Sequence, residues 1–97
     1  MRVELSQETS LVNYPNPFNP STTIMYRVTE QARIEIAVYN PLGQLVRQLV
    51  DEMRDAGVYS VVWDGRNRDG VTVSSGMYFC KVKAGTSVVT RRMLLVK

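Results

Sequence analysis

Any chemistry in this chain would have to come from carboxylate and amide oxygens and one thiol. The densest oxygen cluster is Asp64-Gly65-Arg66-Asn67-Arg68-Asp69-Gly70. It comes close to the calcium-loop pattern D-x-[DN]-x-[DN]-G, with Gly70 as the invariant glycine and Asn67 and Asp69 as ligands. The first ligand position is then Gly65 and the closing glutamate position is Gly76, so the pattern fails. Its Asp and Gly residues read instead as formers of a tight turn. Asp51, Glu52 and Asp55 make a second acidic group, but no oxygen-rich spacing or helper residue accompanies them. Cys80 is the only cysteine, which excludes an intrachain disulfide and a cysteine metal cluster. At an alternating strand position it reads as a small core residue rather than a reactive thiol. The chain has no histidine, and so lacks the commonest general base, the usual nucleophile–base pairs and the commonest metal ligand. The residues therefore predict a protein that is not an enzyme and has no metal or cofactor.

Charge is distributed unevenly. Residues 1–65 carry five bases and eight acids, for a net −3, whereas residues 66–97 carry seven bases and only Asp69, for a net +6. A basic last third suits an acidic partner or an anionic surface, and it equally suits strands whose outer Lys and Arg discourage edge-to-edge pairing. Without an interleaved aromatic–basic groove, nucleic-acid binding is not expected. No apolar run reaches the ~18 residues of a membrane helix. Residues 1–10 are polar, without a signal-peptide pattern, and read as a leader or linker ahead of one domain over 11–97.

The elements that must position these residues are strands. Leu11–Tyr14 is a short candidate strand, cut off by Pro15-Asn16-Pro17-Phe18-Asn19-Pro20. Each proline lacks an N–H and pushes its predecessor towards extended backbone, so a rigid crossing is expected rather than a PxxP recognition motif. Residues 22–28 alternate with Ile24, Tyr26 and Val28 inward. Residues 33–39 alternate with Ile34, Ile36 and Val38 inward, and Arg33, Glu35 and Ala37 outward. Asn40-Pro41-Leu42-Gly43 has the preferences of a type I turn. Leu45, Val46, Leu49 and Val50 fit neither period, and a strand with a bulge over 44–50 is the reading; 51–57 is expected to be a loop. Residues 58–63 put Tyr59, Val61 and Trp63 on one face. Trp63 should be the largest core contact, with an indole N–H needing a partner, rather than an exposed carbohydrate platform. Residues 76–84 place Tyr78, Cys80 and Val82 inward and Phe79, Lys81 and Lys83 outward. A hairpin turn at Ala84-Gly85-Thr86-Ser87 leads into 87–97, and its loop length decides whether Arg91 or Arg92 faces outward. Met93-Leu94-Leu95-Val96 is apolar on both faces, so the last strand is expected to be covered. About seven short alternating strands and no helix predict an all-β, immunoglobulin-like antiparallel sandwich without its disulfide.

Several motifs in order resemble a known family. Tyr14-Pro15-Asn16-Pro17-Phe18-Asn19-Pro20, Val38-Tyr39-Asn40-Pro41-Leu42-Gly43, Trp63-Asp64-Gly65, Ser75-Gly76-Met77-Tyr78 and Arg91-Arg92-Met93-Leu94-Leu95-Val96-Lys97 are similar to the type A C-terminal sorting domains of the type IX secretion system. That family usually has Asp where this chain has Asn40, and a larger residue where it has Cys80. The immunoglobulin-like domain of flagellar hook-capping proteins shares the Trp-x-Gly loop and the Gly-x-Tyr strand. The resemblance implies a sorting and anchoring module that carries an exported bacterial protein to the cell surface or medium. Its implied partners are outer-membrane secretion proteins and a cargo domain N-terminal to it. Its implied signal positions are Pro15, Asn16, Pro17, Gly76, Tyr78, Arg92 and Lys97. A structural spacer or hook-cap-like assembly domain is the alternative, and a carbohydrate-binding module of a secreted glycosidase a further one.

Overall fold

A computed structural model of the chain describes residues 11–14, as backbone, and residues 21–96. The proline-rich crossing, the 1–10 leader and Lys97 lie outside the described residues. Two antiparallel sheets face each other. One has the order β1 (Leu11–Tyr14), β2 (Thr22–Val28), β5 (Gly57–Trp63). The other has the order β4 (Leu45–Arg54), β3 (Ala32–Tyr39), β6 (Gly76–Ala84), β7 (Ser87–Leu95). This is an immunoglobulin-like sandwich in which the fourth strand pairs with the third, unlike the constant-type arrangement that puts it beside the fifth.

Alternation builds the core. Ile24, Tyr26, Val28 and Trp63 from the three-stranded sheet meet Ile34, Ile36, Val38, Cys80, Val82, Met93 and Leu95 from the other, all essentially buried. Each buried isoleucine contributes roughly 2 kcal/mol of burial free energy. Trp63 is fully buried, and its Nε1–H donates to the Arg66 carbonyl at 2.9 Å, so the ring cannot serve as a sugar platform.

β4 departs from simple alternation twice. Its register against β3 shifts so that Leu49 and Val46 have no direct partner: Ile36 pairs Val50, Ala37 pairs Gln48, Val38 pairs Arg47, and Tyr39 pairs Leu45. The extra residue at Leu49 keeps Gln48 on the outer face, and the one at Val46 turns that valine inward. Two bulges in six residues explain a sequence that fits no single period.

Three expectations need correction. Residues 51–54 are not loop; β4 continues to Arg54 and only Asp55-Ala56 connect it to β5. That stretch is an edge strand held by charge, with Arg33 paired to Asp51 across the strands and Arg54 Nη2 at 2.7 Å from Glu52. The stretch shows no apolar period because its inner-phase residues, Glu52 and Arg54, also reach water. Ala37 has the outward phase but is buried, since its small side chain lies beneath the longer Gln48 and Lys81 opposite it. Finally, β7 is the outermost strand of its sheet among the described residues, and Leu94 and Val96 are exposed rather than covered.

Candidate functional site

The β6–β7 hairpin settles the register. Ala84 pairs Ser87, so the loop is the two residues Gly85-Thr86, with Gly85 at φ +60° as a type II′ turn requires. Arg92 then points outward beside Phe79, while Arg91 takes the inner phase opposite Cys80. The pairings Leu45–Tyr39, Tyr39–Phe79 and Phe79–Arg92 form one row across all four strands on the outer face. Met77 and Leu94 lie beyond it, paired and both partly exposed. The next row is Gln48, Ala37, Lys81 and Thr90; Lys81 Nζ sits 5.9 Å from the centroid of the Tyr39 ring. A third row, Asp51, Glu35, Lys83 and Val88, carries the only carboxylates directed to this face among the described residues of these rows. Short Ala37 among long neighbours leaves a depression of about 260 Å³, with Lys81 and Lys83 on its wall. A second depression, of about 310 Å³, lies between Phe79 and the Asn40–Gly43 turn. The face is thus aromatic and aliphatic at one end with cations beside it.

Two local devices shape the turns and strand ends of the sandwich, and each is used twice. In Asn40–Gln44 and again in Asn67–Val71, an Asn side-chain oxygen accepts from the N–H groups two and four residues on, at 2.9–3.0 Å. Gly43 and Gly70 close the two turns at φ +81° and +79°, conformations that a Cβ disfavours. The second turn docks on β4 where it bulges, the Arg68 N–H donating to the Val46 carbonyl at 3.0 Å. Asp64 Oδ1 accepts from the Arg66 N–H and from Arg47 Nη1, both at 3.1 Å. The side-chain oxygens of Asp64 and Asn67 are thus engaged in shaping the 64–70 loop. Among the described residues no group of three or more His, Cys, Asp or Glu side chains is placed to hold a metal ion.

The other device is Gly-x-Tyr. Tyr59 and Tyr78 each stand two residues after the glycine that opens a strand, and each hydroxyl donates at 2.6 Å to the carbonyl four residues upstream, that of Asp55 or Ser74. Tyr78 also meets Trp63 edge-on, with ring centroids 5.3 Å apart. This is the tyrosine corner of immunoglobulin-like domains, two residues before Cys80, which stands where antibody domains have their second disulfide cysteine. With no partner, Cys80 is a buried free thiol whose pKa burial pushes up to about 12. Burial likewise raises the Tyr78 hydroxyl above its ordinary value.

Of the signal positions implied by resemblance, Gly76, Tyr78 and Arg92 fall within the described residues. They are not brought together on one surface. Gly76 opens β6 at φ +146°, Tyr78 points into the core, and Arg92 points out. Pro15, Asn16, Pro17 and Lys97 lie outside the described residues. Tyr39 and Phe79 are legible as outward residues and Met77 shares the phase of Phe79, but Leu45 needed the bulge at Val46 and Leu94 the hairpin register.

A disulfide-free, immunoglobulin-like sandwich with a tyrosine corner is a scaffold whose function resides in its faces and edges. The chain belongs to the FlgD Ig-like domain family, whose profile matches residues 19–87. Its fold is similar to part of dimeric latent PorU from Porphyromonas gingivalis, at TM-score 0.67 and 20% identity over 89% of this chain and 9% of that one. It is equally similar to part of PorZ from the same organism, described as an essential bacterial surface component of the type IX secretion system. There the TM-score is 0.67 and the identity 23%, over 95% of this chain and 12% of that one. FlgD from P. aeruginosa aligns at TM-score 0.59 and 18% identity, over 76% of this chain and 58% of that one. The chain spans about a tenth of the length of the PorU and PorZ chains. No curated protein matches it.

Proposed function

We propose that residues 11–97 are a non-catalytic sorting and anchoring module, recognised by type IX secretion proteins at the outer membrane and so delivered, with a cargo domain N-terminal to it, to the cell surface or medium. The observation that carries this reading is the outer row Leu45–Tyr39–Phe79–Arg92, apolar at its centre and basic on the β6–β7 side. Aromatic side chains supply contact area there, and Arg92 and Lys81 orient an acidic partner. Similarity to parts of two type IX secretion proteins supports the same reading. The non-catalytic assignment is supported by the absence of histidine and by a thiol held protonated in the core.

The test is export of a reporter fused ahead of residues 11–97, in hosts with and without type IX machinery. Machinery-dependent surface delivery is expected, and it should be lost on Arg92→Glu or Lys97→Glu but kept on Arg27→Glu, an equal charge change on the other sheet. Retention of the folded fusion in both hosts would overturn the reading. It would favour the assembly or spacer role that membership in the FlgD Ig-like family also supports.

A further inference from the structure

The described residues end their two sheets in four edge strands, and three of those carry protection. β1 has four residues and runs into Pro15 and Pro17. β4 has two bulges and carries Arg47, Asp51, Glu52 and Arg54. β7 carries Arg91 and Arg92. Short length, prolines, bulges and charges are the usual means of keeping an edge from pairing with another chain.

β5 has none of them. Gly57-Val58-Tyr59-Ser60-Val61-Val62-Trp63 contains no charge and no proline, and its register against β2 runs unbroken from Thr22–Trp63 to Val28–Gly57. Val58 and Val62 are 64% and 56% exposed, and Met25, paired with Ser60, joins them on the same outer face. Among the described residues β5 pairs only with β2, and no described strand lies along its other side.

We propose that this edge pairs with a second copy of itself, antiparallel about a two-fold axis at Ser60, to make one continuous sheet of six strands. The choice of occupant follows from self-complementarity. The axis sets Ser60 opposite Ser60 and Val58 opposite Val62 of the second copy on the outer face, and Tyr59 opposite Val61 on the inner face. Every cross-strand pair is then uncharged and rich in β-branched or aromatic residues, the combination that stabilises antiparallel pairing. The same operation at the centre of β7 would bring Arg91 against its own copy, so charge directs self-association to β5. An interface of this kind is isologous and closes at two copies. This inference does not depend on the export reading.

Sedimentation velocity of the 97-residue chain across a wide concentration range tests it. The wild type should show a reversible monomer–dimer equilibrium. Ser60→Lys, at an exposed position, should stay folded by circular dichroism and sediment as a monomer. Mixing Ser60→Lys with Ser60→Asp should restore a dimer containing one of each, whereas Arg92→Glu should leave the dimer unchanged. Ser60→Cys should form a disulfide-linked dimer on mild oxidation, since directly opposed strand residues lie within disulfide reach and Cys80 is buried. A wild type that stays monomeric at every concentration would overturn the proposal. So would a dimer indifferent to Ser60→Lys, or a Ser60→Cys chain that does not cross-link.

Discussion

Replacing Tyr78 by Phe separates two roles that one residue could hold. The ring stays, and with it the edge contact to Trp63; only the hydroxyl bond to the Ser74 carbonyl at 2.6 Å is lost. A part-buried bond of this kind contributes about 1 kcal/mol net, and Ser74 is exposed, so its carbonyl can turn to water and adds little further penalty. For a domain of this size, about 1 kcal/mol lowers Tm by roughly 4–8 °C. Tyr59→Phe is the internal control, because it removes the same bond, also 2.6 Å, from an exposed setting. Its loss should be no more than about half as large, since water competes for both partners there. Thermal and urea unfolding of the two variants measure the difference. Equal shifts, or a Tyr78→Phe shift within error of zero, would refute the view of Tyr78 as the buried corner of the fold. At growth temperature the variant should remain folded and its fused reporter exported. A folded but unexported Tyr78→Phe would show instead that the hydroxyl itself is read by the secretion machinery.

Three further outcomes are expected. Cys80 holds its proton in the folded state up to about pH 12, while the unfolded thiol ionises near its ordinary value. Stability is therefore intact below about pH 8 and falls by up to ~1.4 kcal/mol per pH unit above about pH 9, a slope that Cys80→Ala should flatten in urea titrations at graded pH. Asn40→Asp keeps the oxygen that accepts from the Leu42 and Gln44 N–H groups and loses only the donation to Gln44 Oε1, so it should change stability by less than about 0.5 kcal/mol, against about 1 for Asn40→Ala in urea unfolding. Arg54 reaches from β4 to the other sheet, its guanidinium 5.4 Å from the Tyr59 ring centroid. Arg54→Ala should cost about 1–2 kcal/mol by calorimetry, and an unchanged Tm would remove that contact from the account.

Alternation alone determined most of the fold. Where one face meets the core and the other meets water, as in β2, β3, β5 and β6, side-chain period and burial are the same fact, and Ile24, Ile36, Trp63, Tyr78 and Cys80 could be placed from sequence. The repeated Asn-x-x-Gly and Gly-x-Tyr patterns were equally present in the sequence, but that their side-chain oxygens close onto nearby backbone groups is visible only once the strands have their ends. Tertiary structure alone decided what depends on pairing between distant segments. The bulges of β4 exist only against β3, so neither the outward turn of Leu45 nor the strand character of Asp51–Arg54 could be read locally. The two-residue loop at Gly85 decided that Arg92 rather than Arg91 lies beside Phe79 on the outer face. Sheet order decided that the uncharged β5 lies at an edge. A strand's sequence records what its side chains prefer to touch, but which backbone neighbour it has, or lacks, is a property of the whole sheet.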